Sequence, residues 1–84
     1  MVGKFDKIEM AMRMLQEDTG TPRSVREKLG QMIQYLNQNA DDSTKISTVL
    51  GRLEELCSDV NIPPFVRTQI YSISGMLEAI VVDN

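Results

Sequence analysis

The chain has 84 residues, of which 42% are hydrophobic, 25% charged and only 5% aromatic. That length holds one hydrophobic core and not two, and the aliphatic bias suits packed helices better than a β-sandwich or a disordered chain. Nine Lys and Arg against 12 Asp and Glu leave a net charge of -3, so there is no positive excess to track a phosphate backbone and nucleic acid is disfavoured as a partner.

Histidine is absent, which removes the commonest general base, the usual metal-ligating nitrogen and the imidazole of any triad. The lone cysteine, Cys57, cannot form an internal disulfide. No apolar run follows a basic start, so a reducing, cytoplasmic setting is expected. The longest apolar candidate, MLEAIVV at 76–82, contains Glu78 and falls far short of the roughly 20 residues that cross a bilayer. These features point to a soluble chain with no membrane span, no cofactor and no enzymatic role.

Phe5, Ile8, Met12 and Leu15 recur at helical spacing and predict a first helix over about 4–18. Met10 and Met14 lie off that stripe, so this helix is apolar on more than one face. DTGTP then breaks the pattern: Gly20 is free to take positive φ, and Thr21 is placed to cap a second helix opening at Pro22. Val25, Leu29, Met32, Ile33 and Leu36 carry that helix over about 22–38.

A polar connection, NQNADDS, offers Asp42 or Ser43 as the next cap. Ile46, Val49, Leu50, Leu53 and Leu56 mark the third helix. Val66, Ile70, Ile73, Leu77 and Ile80 step four, three, four and three residues, and predict a fourth helix from Pro63 or Pro64 to about Val82.

Superposing Pro22 on Pro63 gives an offset of 41 residues, at which Leu15 meets Leu56, Asp18 meets Asp59, Val25 meets Val66, Arg26 meets Arg67 and Leu36 meets Leu77. A repeat of about 40 residues, each a helix, an Asp- and Pro-containing turn and a second helix opening with Val-Arg, resembles the HEAT repeat. The expected fold is therefore all-α: one domain over 1–84, its two antiparallel hairpins at about 4–38 and 43–82 packed into a four-helix bundle.

Asp18, Pro22, Arg26, Asp59, Pro63 and Arg67 read as a structural turn network. The Asp accepts hydrogen bonds from turn amides, Pro opens a helix where its missing donor costs nothing, and the Arg fork ties the corner.

DVNIPPFVRTQIYSISGMLEAI at 59–80 and TPRSVR at 21–26 resemble a small archaeal family of unknown function, uncharacterised protein family zero-one-four-seven. Asp59, Asn61, Pro63, Arg67, Thr68, Tyr71, Ser74, Leu77, Glu78 and Ile80 occupy its motif positions. Val60 stands where that pattern has Pro, and Tyr71 where Trp is common. The resemblance implies an all-helical protein of archaeal origin and implies no activity.

Two hairpins are fewer than a repeat array needs to bury its ends. Met10 and Met14, with Met76, Ala79, Val81 and Val82 outside the stripe of the fourth helix, therefore point to self-association or to an unknown protein partner. A different reading starts from charge. Residues 1–36 hold six basic and five acidic side chains and residues 37–84 hold three and seven. Arg23, Arg26 and Lys28 gather at a helix start where the dipole prefers acids. Arg23, Ser24 and Lys28 could hold an anion or nucleic acid there, or the charges could pair with Asp18, Glu27 or Asp59.

The helix-turn-helix-like spacing of TGTPRSVREKLGQM is generic to helical hairpins. Cys57 has no base to activate it and reads as a small apolar filler. Glu54 with Glu55, and Asp41 with Asp42, are sequence neighbours that diverge rather than form an acid–base or metal pair. The favoured function is a non-enzymatic interaction or assembly module.

Overall fold

The periodic apolar residues Ile8, Met12, Leu15, Val25, Leu29, Met32, Ile33, Leu36, Val49, Leu53, Leu56, Val66, Ile70, Ile73 and Leu77 all lie in one buried cluster. The helices that carry them are α1 (Asp6–Glu17), α2 (Arg23–Leu36), α3 (Asp42–Cys57) and α4 (Pro64–Glu78), in a computed structural model that describes residues 3–80. No strand occurs among those residues. Each helix packs on two others, α1 on α2, α2 on α3, α3 on α4 and α4 on α1, with no close approach across the diagonals. Short connections reverse the chain at each corner, so neighbours run antiparallel and the apolar stripes meet in the middle.

The helix starts depart from sequence expectation at two places. Thr21 does not cap α2. Its hydroxyl donates 2.7 Å to the Leu15 carbonyl inside the bundle, and Pro22 stands at the cap position with no side-chain cap bond. A buried hydroxyl needs a partner, and the Leu15 carbonyl in the last turn of α1, which no helical amide fills, supplies it beside the long Asp18 amide bond. At α3 the cap is Asp41 rather than Asp42 or Ser43, accepting from the Thr44 amide at 3.0 Å and the Thr44 hydroxyl at 2.7 Å. Those bonds hold its carboxyl below the ordinary value, while Asp42 turns out to meet Lys4 at 2.9 Å.

Gly20 does not take positive φ, and neither does any other glycine described. Its lack of a side chain serves close packing instead: a Cβ there would sit 3.0 Å from Cζ of Phe65 on α4. α2 ends at Leu36 rather than 38, where Asn37 Nδ2 turns back to the Ile33 carbonyl at 2.8 Å. α4 ends at Glu78, short of the expected 82; Val81 and Val82 lie outside the described residues.

In α3, Ile46 and Leu50 are only partly buried. The inward position one turn before Val49 belongs to Lys45, which is 9% exposed. Its aliphatic stem packs inward, its Nζ donates 2.9 Å to the Leu36 carbonyl, and it lies 5.7 Å from the centre of the Phe5 ring. One ammonium thus serves the exposed carbonyl end of α2 and an aromatic face of the α1 entry. Ile62, in the turn before α4, is likewise buried although no helical period marks it.

Replacing Lys45 with Met keeps the stem but strips the donor from a buried carbonyl; it should lower stability by about 2 kcal/mol in urea unfolding, and a change under about 0.5 kcal/mol would show the bond to be dispensable. Asp41→Ala should lower the thermal midpoint at neutral pH. Because the folded carboxyl is depressed below 3.8, its contribution is present above that value and disappears as pH falls through the lowered one. Thermal scans of both proteins should therefore converge in acid.

Candidate functional site

The two repeat turns are built alike. At the first, the Asp18 amide donates to the Leu15 carbonyl at 3.3 Å and the Thr21 amide to the Asp18 carbonyl at 3.0 Å. At the second, the Asp59 amide donates to Leu56 at 3.2 Å and the Ile62 amide to Asp59 at 3.4 Å. The Asp carboxylates accept from the amides two residues on, Gly20 and Asn61, each at 2.9 Å. Every one of these bonds recurs at the offset of 41 residues.

The arginines differ. Arg26 donates Nε to the Thr21 carbonyl at 3.0 Å and Nη2 to the Asp18 and Thr19 carbonyls, both at 3.2 Å. Arg67 reaches the Asp59 carbonyl through Nη2 at 3.1 Å, and its Nε is buried with no hydrogen-bond partner. Neither arginine contacts an Asp carboxylate; both bind backbone carbonyls of the turn that follows the preceding helix. Lys45 binds the carbonyl of Leu36, the last residue of α2, and all three cations are the fourth residue of their helices. Lys45 escaped the sequence reading because a lysine is taken as solvent-facing; its spacing of four before Val49 was the available signal.

The basic start of α2 does not converge. Arg23 pairs with Glu27 at 3.2 Å, both well exposed, and Ser24 and Lys28 are exposed. Arg23 and Lys28 are five residues apart, hence about 140° apart around the helix, and Arg26 is engaged in its turn. Lys28 instead lines a small cleft of about 60 Å³ with Gln31, Met32, Arg52 and Glu55.

The proposed contact methionines separate in space. Met10 and Met14 are 63% and 68% exposed on α1, and Met14 lines a cleft of about 240 Å³ with Ala11, Asp18, Phe65 and Gln69. Met76 packs partly against the core near Lys7 and Ile8, at the opposite end of the α1–α4 seam. Val82 lies outside the described residues.

A wider groove of about 430 Å³ opens between α3 and α4, lined by Leu50, Leu53, Glu54, Cys57, Ser58, Tyr71, Ser74 and Glu78. Desolvation, and to a lesser degree Glu54, push the Cys57 thiol up, against the pull of Arg67, so Cys57 presents a neutral, weakly polar surface at neutral pH. No group of three or more metal-ligating side chains occurs among the described residues, and no helix there is long and apolar enough to cross a membrane.

Residues 1–80 match the model of the Uncharacterised protein family (UPF0147). The chain belongs to this family. A UPF0147 protein of Methanothermobacter thermautotrophicus is 35% identical over 77 residues, covering 90% of this chain and 76% of the relative. One from Pyrococcus horikoshii is 32% identical over 85 aligned positions, covering 95% and 91%. The crystal structure of a UPF0147 protein from Thermoplasma acidophilum matches with a TM-score of 0.87 at 30% identity, covering 93% of each chain. These UPF0147 relatives are archaeal, and the four-helix architecture is shared with the solved member.

The unequal bonding of the two turns should appear in stability. Arg26→Gln removes three hydrogen bonds and should cost about 2 kcal/mol, and Arg67→Gln, which removes one and relieves a buried unpaired donor, about 1 kcal/mol or less. Urea midpoints at unchanged m report both values; equal losses would show that the extra bonds of Arg26 add nothing.

Proposed function

We propose that this UPF0147 chain is a non-enzymatic assembly module that binds a second copy of itself through the outer face of α1. The observation that carries this reading is the stripe Lys7, Met10, Met14 and Glu17, spaced three, four and three residues apart and exposed along its whole length. Two large apolar side chains at its centre have no covering element, and Phe65, 41% exposed, extends the apolar surface from Met14. Neither Lys7 nor Glu17 has an ion-pair partner among the described residues.

The stripe is self-complementary. Antiparallel pairing of two α1 helices about a twofold axis brings Met10 against Met14 of the second copy, and Lys7 against Glu17, at both ends at once. Flexible methionines fill such a seam without precise preorganisation. One 12-residue helix is a small contact compared with the roughly 800 Å² per partner of a stable interface, so the dimer is expected to be weak and concentration-dependent. The two hairpins are read as HEAT-like units working in the cytoplasm. The anion-binding alternative at Arg23, Ser24 and Lys28 is less favoured, because Arg23 pairs with Glu27 and points about 140° away from Lys28.

Light scattering coupled to size-exclusion chromatography should show apparent mass rising with concentration toward that of a dimer. Met14→Glu should leave a monomer with unchanged circular dichroism, and Lys7→Glu should weaken the dimer, with Glu17→Lys in the same chain restoring it. A strict monomer at millimolar protein, or a Met14→Glu variant that associates as well as the parent, would remove the proposal.

A further inference from the structure

The α3–α4 groove lies on a different pair of helices from the methionine stripe and carries a different chemistry. Its volume of about 430 Å³ falls in the roughly 300–1,000 Å³ range of small-ligand sites. The partly buried Leu50 and the neutral Cys57 thiol form an apolar floor over the buried Leu53, and Tyr71, 61% exposed, stands over it as an aromatic wall. No Lys or Arg lines it; Arg67, close enough to act on Cys57, is turned to the Asp59 carbonyl.

The two carboxylates of the groove sit toward opposite ends. Tyr71, Ser74 and Glu78 succeed one another along α4, so that wall is about 10 Å long at ~1.5 Å per residue. Because α3 and α4 run antiparallel, Glu54 belongs with Cys57, Ser58 and Tyr71 at one end, and Glu78 falls beyond Leu50 at the other. Neither carboxylate makes an ion pair among the described residues. Glu78 is also the last residue of α4, where the helix dipole adds negative potential and no basic side chain in the last turn offsets it.

We propose that this groove binds an aliphatic diamine, one ammonium at Glu54, the other at Glu78, and the carbon chain laid on Leu50, Cys57 and Tyr71. Each part of the ligand answers a part of the groove. Acidic ends call for a cation at each end, the apolar floor for methylenes between them, and the Tyr71 face for a cation or its polarised neighbouring methylene. The hydroxyls of Ser58 and Ser74 can accept ammonium hydrogens that the carboxylates leave over.

The test is an amide-shift titration of the whole chain with 1,6-diaminohexane, alongside n-hexylamine, 1-hexanol and Nα-acetyl-lysine amide. Expected are saturable shifts confined to 50–58 and 71–78, with n-hexylamine about two- to fivefold weaker and Glu54→Gln and Glu78→Gln each weakening the diamine by a similar factor. Tyr71→Leu should weaken it about two- to fivefold as well, and all three variants should keep the parent's thermal midpoint. Equal binding of 1-hexanol would reduce the groove to an apolar cleft, and indifference to both Gln variants would remove the ammonium sites. Equal shifts at Asp41 and Asp42 would mean diffuse counter-ion attraction. Acetyl-lysine amide binding as tightly as the diamine would assign the groove to a lysine side chain of a protein partner and overturn the diamine.

Discussion

Backbone carbonyls at or just beyond the ends of three helices have no partner inside a helix, and at each corner a cation from the next helix supplies one. Arg26 serves the turn after α1, Lys45 the last carbonyl of α2 and Arg67 the turn after α3. All three stand at the fourth position of their own helix, one turn in from its start, where the side chain can lie back across the corner. A cation near a helix start is unfavourable by its own dipole. Here direct hydrogen bonds to backbone carbonyls of the preceding corner offset the mismatch.

This device explains why a basic residue stands at the start of α2 where the helix dipole disfavours it. Arg26 is drawn inward to the turn, Arg23 outward to Glu27, and Lys28 to another side of the helix. It also explains a difference between the two repeats. Thr21 puts a polar side chain in the first turn and ties it to Leu15, while Ile62 at the matching position in the second is apolar. The second turn therefore leans more on burial and less on hydrogen bonds, and it leaves the Arg67 Nε unpaired.

With the corners secured from within, outward-facing residues are released for other uses. The surplus apolar character of the chain appears on α1 as Met10 and Met14, and the surplus acid of residues 37–84 appears partly as the two ends of the α3–α4 groove. These surfaces are on separate helix pairs, so the self-association proposed for one and the diamine site proposed for the other do not compete for the same side chains. Gly20 links the turn to the α1–α4 seam by letting Phe65 close over it.

Most of the helical plan was legible in the order of residues, because a buried stripe at 3.6-residue spacing leaves a periodic trace whatever it packs against. Leu15, Val25, Leu36, Leu56, Val66 and Leu77 declared both their helices and the offset of 41 residues, and the Asp-to-Pro turns declared the corners. Lys45 and Ile62 were not legible: a lysine reaches the core only if a carbonyl waits for its ammonium, and a turn residue is buried only if a neighbouring element covers it. Thr21 looked like a cap because its local setting suits one, and only the proximity of the α1 terminus drew its hydroxyl elsewhere. The sequence by itself thus determined which faces are apolar and where the chain turns, since both follow from local spacing and backbone chemistry. Tertiary structure alone decided which carbonyl each cation serves, which methionines stay uncovered and which carboxylates share a groove, because those depend on distances between segments that have no fixed separation along the chain.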